Sequence, residues 1–185
     1  MCVTRRQHHP GADRPILPLF WLLSDRRNDA GIETALQSLP TGSGFVFRHY
    51  HLDPDTRRAR FDELAAIARQ CGHTVILSGD DDWGADGHYG SATRPRDGLF
   101  LATAHNEDEL AAAVAAGAEG IFLSPVFATA SHPGAKTLGI DAFHALARQS
   151  PVPVIALGGM THERARELGW SRWGAIDGLG STNVA

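Results

Sequence analysis

The sequence predicts an α/β protein, a closed barrel of parallel strands with helices outside it. Short, continuously apolar runs recur along the chain, as expected of strands buried on both faces. Segments with helical spacing lie between many of them, which implies parallel strands joined by helical crossovers. About eight strand candidates in so short a chain favour a compact (β/α)8 TIM barrel, although that fold usually takes at least roughly 200 residues. Some helices must therefore be shortened or missing. An open flavodoxin-like sheet is the alternative.

The elements follow in order. "LPLFWLL" (Leu17 to Leu23) opens the barrel as a fully apolar strand, and Phe45 to Arg48 supplies the next. Asp53-Pro54 reads as an N-cap with proline at the first helical position. Phe61, Leu64, Ala65 and Ala68 then recur on one helical face, and Gly72 stops the helix. Thr74 to Leu77 is a strand, Gly87 to Tyr89 a weaker one, and Leu99 to Ala104 another. Asn106 with Glu109 resembles a capping box for a helix carrying Leu110, Ala113 and Val114, ended by Gly117. Gly120 to Pro125, helix Ile140 to Ala147, and strand Val152 to Leu157 follow. A helix from Glu163 to Leu168, capped by Thr161, and a weaker strand from Trp173 to Asp177 complete the set. There is no room for an ordinary helix between Gly79 and Pro95, and the sequence stops eight residues after Asp177, so the final helix is expected to be absent. The apolar flank left by that absence would encourage a homo-oligomer.

Residues 1 to 16 read as a disordered polar arm, in which His8-His9 could pick up a stray metal, and residues 17 to 185 as one barrel domain. A net charge of -4 and a pI near 6.2 argue against a nucleic-acid partner, and no apolar run reaches membrane-spanning length. The two cysteines, Cys2 and Cys71, are too far apart in character to suggest a disulfide framework, and a reducing cytoplasm fits them better.

In such a barrel, ligands bind at the C-terminal ends of the strands. That rule selects Asp25, Arg48, Ser78 to Asp82, His88, Thr103, His105 and Gly158-Gly159, from different strands yet converging on one mouth. The glycine pair in "ALGGM", before the Thr161-capped helix, reads either as an anion-binding turn or as a tight turn needing positive φ. In "SPVFATASHPGAK" (124–136), Thr129, Ser131 and amides near Gly134 could wrap an anion, with His132 or Lys136 supplying charge. The same residues also suit an ordinary surface loop. Asp80, Asp81 and Asp82 could meet Mg²⁺ or form a solvated acidic turn. His49 and His51 share one strand face and could be a metal pair whose third ligand the sequence does not name.

Taken together, these motifs resemble the thiamine phosphate synthase family, including its thiazole tautomerase relatives, over roughly residues 17 to 180. "GAEGIFLSPVFATASHPGAKTLGI" is similar to the family's "GADYIGxGPVFPTxTKPGAxxLGL", "VPVIALGGM" to its "IPVVAIGGI", "ATAH" to its "GxSxH" and "LFWLLSDRR" to its "LYLVTDR". The resemblance implies a TIM barrel that joins an aminopyrimidine diphosphate to a thiazole phosphate, releasing pyrophosphate with Mg²⁺. It implies small phosphorylated substrates, pyrophosphate contacts from Arg48, Thr103, Thr129 and His132, and a phosphate held at Gly158 and Gly159. His88 matches the histidine of the family's "GVHLG". The chain departs from the pattern at Val46 and Tyr50, where Gln and Lys would flank Arg48. The first metal aspartate is absent or shifted to Asp80, the second falls near Thr93, His132 replaces a lysine, and Asp177 stands where the family's "VIS" helps bind phosphate. Pro125 departs from the tautomerase branch, which carries histidine there. An isomerase or tautomerase on the same scaffold, or a non-catalytic homologue that binds a thiamine precursor, are the alternatives.

Overall fold

In a computed structural model describing residues 16–90, 97–129, 134 and 136–179, the chain forms a closed barrel of eight parallel strands in sequential order. The strands are β1 (Phe20–Leu23), β2 (Gly44–Phe47), β3 (Thr74–Ser78), β4 (Gly87–Gly90), β5 (Leu99–Ala104), β6 (Gly120–Leu123), β7 (Val154–Ala156) and β8 (Trp173–Ala175). Around them lie α1 (Ile32–Ser38), α2 (Pro54–Gln70), α3 (Glu107–Ala115), α4 (Gly139–Gln149) and α5 (His162–Leu168). The barrel closes through β1 and β8, with Phe20 opposite Trp173 and Leu22 opposite Ala175.

Local sequence chemistry sets the helix starts. The Asp53, Asn106 and Thr161 side chains accept the backbone N–H of Thr56, Glu109 and Arg164 at 3.1, 2.9 and 3.2 Å, so each cap satisfies a donor the helix cannot. Glu109 reaches back to the His105 N–H at 2.9 Å, which completes the box one residue earlier than the usual partner. Helix α1 is an element the sequence reading did not name. It has seven residues and no side-chain cap, so its only signal is the spacing of Ile32, Leu36 and Leu39.

Alternation along each strand separates two cores. Trp21, Leu23, Val46, Ile76, Leu101, Phe122 and Ile155 fill the barrel interior, and the opposite faces pack against the helices. The Trp21 indole lies edge-on to Phe122 at 5.7 Å and donates to the Pro18 carbonyl at 2.9 Å. Room for it comes from Gly44, where a Cβ would lie 2.5 Å from indole Cδ2.

Two helices expected to be missing are indeed absent among the described residues. After β3 the loop is held by Asp86, which exchanges bonds with both the N–H and the C=O of Val75. Trp83 from that loop covers Phe61 and Phe47 in place of a helix, with the Arg57 guanidinium 4.8 Å above its ring. After β8 no helix follows through Leu179, yet the flank is not bare. Trp173, Leu22 and Ala175 are all buried, and Trp173 packs edge-on against Phe20 and His162.

Candidate active site

The inward-facing alternation carries past the hydrophobic layers to the strand ends. Above Leu23, Val46, Ile76, Leu101 and Phe122 come Asp25, Arg48, Ser78, Thr103 and Ser124, which ring the C-terminal mouth. Asp25 and Arg48 meet directly, Nη2 to Oδ2 at 3.0 Å, and Arg27 holds the other Asp25 oxygen at 3.1 Å. Burial opposes ionisation of Asp25. The Arg27 N–H and the Arg27 and Arg48 guanidiniums outweigh it and hold the carboxyl below its usual range. The Arg48 backbone N–H donates to Ser24 Oγ at 2.7 Å, while its buried Nε has no hydrogen-bond partner in the protein.

Tyr50, at a departure from the family pattern, is exposed and bonds across to Ser78 Oγ, with the Arg48 and Arg57 guanidiniums 5.9 and 5.7 Å from its ring. Val46, the other departure, is fully buried in the interior and lies below the mouth. Arg57 anchors the rim, donating to the carbonyls of Arg48 and Ser78 at 3.0 and 2.5 Å and to Asp81 at 3.2 Å.

Several sequence-selected residues do sit at the mouth. The His105 Nδ1 lies 2.6 Å from the Ser124 carbonyl, an acceptor only, so Nδ1 carries the proton and Nε2 the lone pair of the neutral ring. Gly158 and Gly159 adopt φ of 93° and 63°, and a Cβ on Gly158 would meet Pro125 Cα at 2.6 Å. The Phe127 N–H donates to the Gly158 carbonyl at 3.1 Å, so the pair serves close packing of the two neighbouring loops. Thr129 lies in that same loop after β6, and Asp80 is exposed in the turn after β3. Ser131, His132 and Thr93 lie outside the described residues. Asp177, which stands where the family pattern binds phosphate, pairs with Arg27 at 3.5 Å.

His88 does not join the others. It alternates with the inward-facing Tyr89, so its ring points outward and stacks on Phe100 at 4.8 Å. Strand-end position alone could not tell which face it takes. Conversely, the sequence reading did not single out Tyr89, Asn28, Arg27 or Arg57. Tyr89 faces the interior, edge-on to Phe122, and burial pushes its phenol up to about 12. The Asn28 amide donates to the Leu23 and Ile176 carbonyls at 3.0 and 2.8 Å and accepts the Asp25 N–H, tying β1 to the segment after β8. The only sequence signal for Arg27 and Arg57 was charge near a strand or helix end. A cavity of about 320 Å³ opens at the other end of the barrel, around Leu17, Thr74 and Glu119, away from all these groups.

Known proteins resemble the chain in sequence and in fold. The profile of the family described as Thiamine monophosphate synthase matches residues 90–175. The thiamine-phosphate synthase of Thermosynechococcus vestitus is 28% identical over 156 residues, covering 76% of this chain and 44% of that protein. That of Methanoregula boonei is 34% identical over 121 residues, covering 57% and 56% respectively. The chain thus spans about half the length of these curated relatives. Among solved structures, the thiamine phosphate pyrophosphorylase from Pyrococcus furiosus superposes with a TM-score of 0.74 at 20% identity, covering 89% of each chain. With a closed eight-stranded barrel, a profile match over residues 90–175 and these relatives, the chain is similar to the thiamine phosphate synthase family in both sequence and fold.

Proposed function

We propose that the chain joins an aminopyrimidine diphosphate to a thiazole phosphate, with release of pyrophosphate, at the C-terminal mouth of the barrel. The observation that carries this reading is Arg48, whose guanidinium stands among the inward-facing polar groups, held by Asp25 and carrying a buried, unbonded Nε. A leaving pyrophosphate gathers charge as its bond to the pyrimidine methylene breaks, and a fixed cation stabilises that charge without reorganising. The electron-rich pyrimidine ring supports the resulting cation, and the thiazole nitrogen closes the new C–N bond. No protein nucleophile is needed, so positioning and leaving-group stabilisation are the protein's whole task.

In this reading Arg48 and Thr103 contact the leaving pyrophosphate, with Thr129, Ser131 and His132 from the long loop. Gly158 and Gly159 shape the turn for the thiazole phosphate, and Arg27 keeps the Asp177 charge occupied. Asp80, exposed in the turn after β3, would meet Mg²⁺, which accepts one or two carboxylates plus substrate phosphate oxygens. Bound there, Mg²⁺ would neutralise pyrophosphate charge. The test is an end-point assay with both substrates and Mg²⁺, scored for thiamine phosphate. Product that vanishes in Arg48→Ala supports the synthase. Saturable binding of either substrate without product, by a folded protein, replaces it with a precursor-binding role.

A further inference from the structure

A second polar cluster lies on the other side of the β2 terminus, outside the barrel mouth. His49 and His51 lie just beyond β2 rather than within it, and the backbone turns through φ 32° at His49, a conformation that non-glycine residues adopt at a cost. The turn brings the two rings within 5.2 Å, and Asp29, twenty residues earlier in the 3₁₀ turn before α1, closes the group. One donor atom from each of Asp29, His49 and His51 lies within 4.8 Å of the others. We propose that Asp29, His49 and His51 bind one divalent transition-metal ion of the zinc class. This site does not depend on the reaction at the mouth.

The donors suit such an ion. Two imidazoles and one carboxylate favour a borderline first-row metal over Mg²⁺, which prefers oxygen. His49 Nε2 and Asp29 Oδ1 are 2.8 Å apart. Ligands at zinc distances of about 2.0–2.2 Å stand roughly 3 Å from each other. An ion would therefore take the place of the shared proton, the neutral ring carrying its one N–H on Nδ1 towards Ser24 Oγ, with only a small opening of the Nε2–Asp29 pair. His49 Nδ1 is already held by Ser24 Oγ at 2.7 Å, the outer contact that orients a ligating imidazole.

Two other features bear on the reading. Arg60 also binds Asp29, at 2.8 Å, and a lone cation there would oppose a metal. The same guanidinium holds Glu33 and Glu63 at 2.6 Å each, so three carboxylates surround one positive charge and the local field still favours a cation. Ser24, His49 and Asp29 also follow the hydrogen-bond order of a hydrolytic triad. Ser24 is fully buried, however, and no substrate carbonyl could reach its Oγ. His51 and Asp29 are partly exposed, which gives an ion a way in.

His51 makes the decisive variant, because it is partly exposed and the Asp29–His49–Arg60 hydrogen bonds do not involve it. Metal-stripped full-length protein is titrated with ZnCl₂ by calorimetry, in parallel with His51→Ala and with a His8→Ala/His9→Ala double variant. The expected result is one Zn²⁺ per chain, unchanged in the double variant and weakened about ten- to a hundred-fold or more in His51→Ala. Binding that excess Mg²⁺ does not displace supports the same site. No Zn²⁺ binding by the parent protein overturns the proposal. So does binding that persists unchanged in His51→Ala, or that disappears with His8 and His9.

Discussion

Gly44→Ala tests whether the barrel interior is filled to its limit beneath the mouth. The new Cβ would stand 2.5 Å from Trp21 Cδ2, well inside the contact distance of about 3.5–4.0 Å between carbons. The indole has no room to retreat, being fully buried, bonded to Pro18 O and wedged against Phe122. One extra methyl in such a site costs about 1–3 kcal/mol. For a domain of this size, each kcal/mol lowers Tm by about 2–4 °C. Trp21→Leu alone loses ring contacts and the indole hydrogen bond, about 2–4 kcal/mol. The clash requires both partners, so the double variant should cost about 1–2 kcal/mol less than the sum of the single variants. Guanidinium unfolding followed by far-ultraviolet circular dichroism measures this without relying on the altered tryptophan. Additivity of the two changes to within about 0.5 kcal/mol would refute the argument that Gly44 exists to admit the indole.

Three further outcomes are expected. Asn28→Ala leaves the Leu23 and Ile176 carbonyls without their shared donor at the barrel seam and should cost about 1–3 kcal/mol in chemical unfolding; an unchanged midpoint would mean that water replaces the amide. Asp53→Ala removes the cap of α2 and should cost about 1 kcal/mol, with Asp53→Asn recovering most of it. The folded pKa of Asp25 is depressed, so its stabilisation is fully present above the unfolded value near 3.8 and is lost as pH falls through the lower folded value. Asp25→Asn should therefore flatten the acid limb of a Tm-against-pH curve, and an unchanged limb would assign the acid sensitivity to other carboxylates.

Much of the fold was legible because its signals are local. Six of the eight strands were readable as short apolar runs, β4 and β8 only as weaker candidates, and the caps at Asp53, Asn106 and Thr161 form as their side-chain chemistry requires. Helix α1 escaped because seven residues without a cap carry too little pattern. The site was legible only as a set of strand ends. Asp25, Arg48 and Thr103 follow the inward-facing alternation to the strand ends, but His88 points outward, because facing is set by register within the closed sheet rather than by position near a strand end.

The sequence by itself determined the parallel barrel, the shortage of helices and the likeness to thiamine phosphate synthases, since all three rest on patterns a few residues long or on contiguous motifs. Tertiary structure alone decided which charges meet. It paired Asp25 with Arg48 and Asp177 with Arg27, put Trp83 where a helix would have packed, buried the flank after β8 under aromatic edges, and brought Asp29 to His49 and His51. Such contacts depend on distances set by barrel closure and side-chain direction, and no local spacing in the chain encodes them.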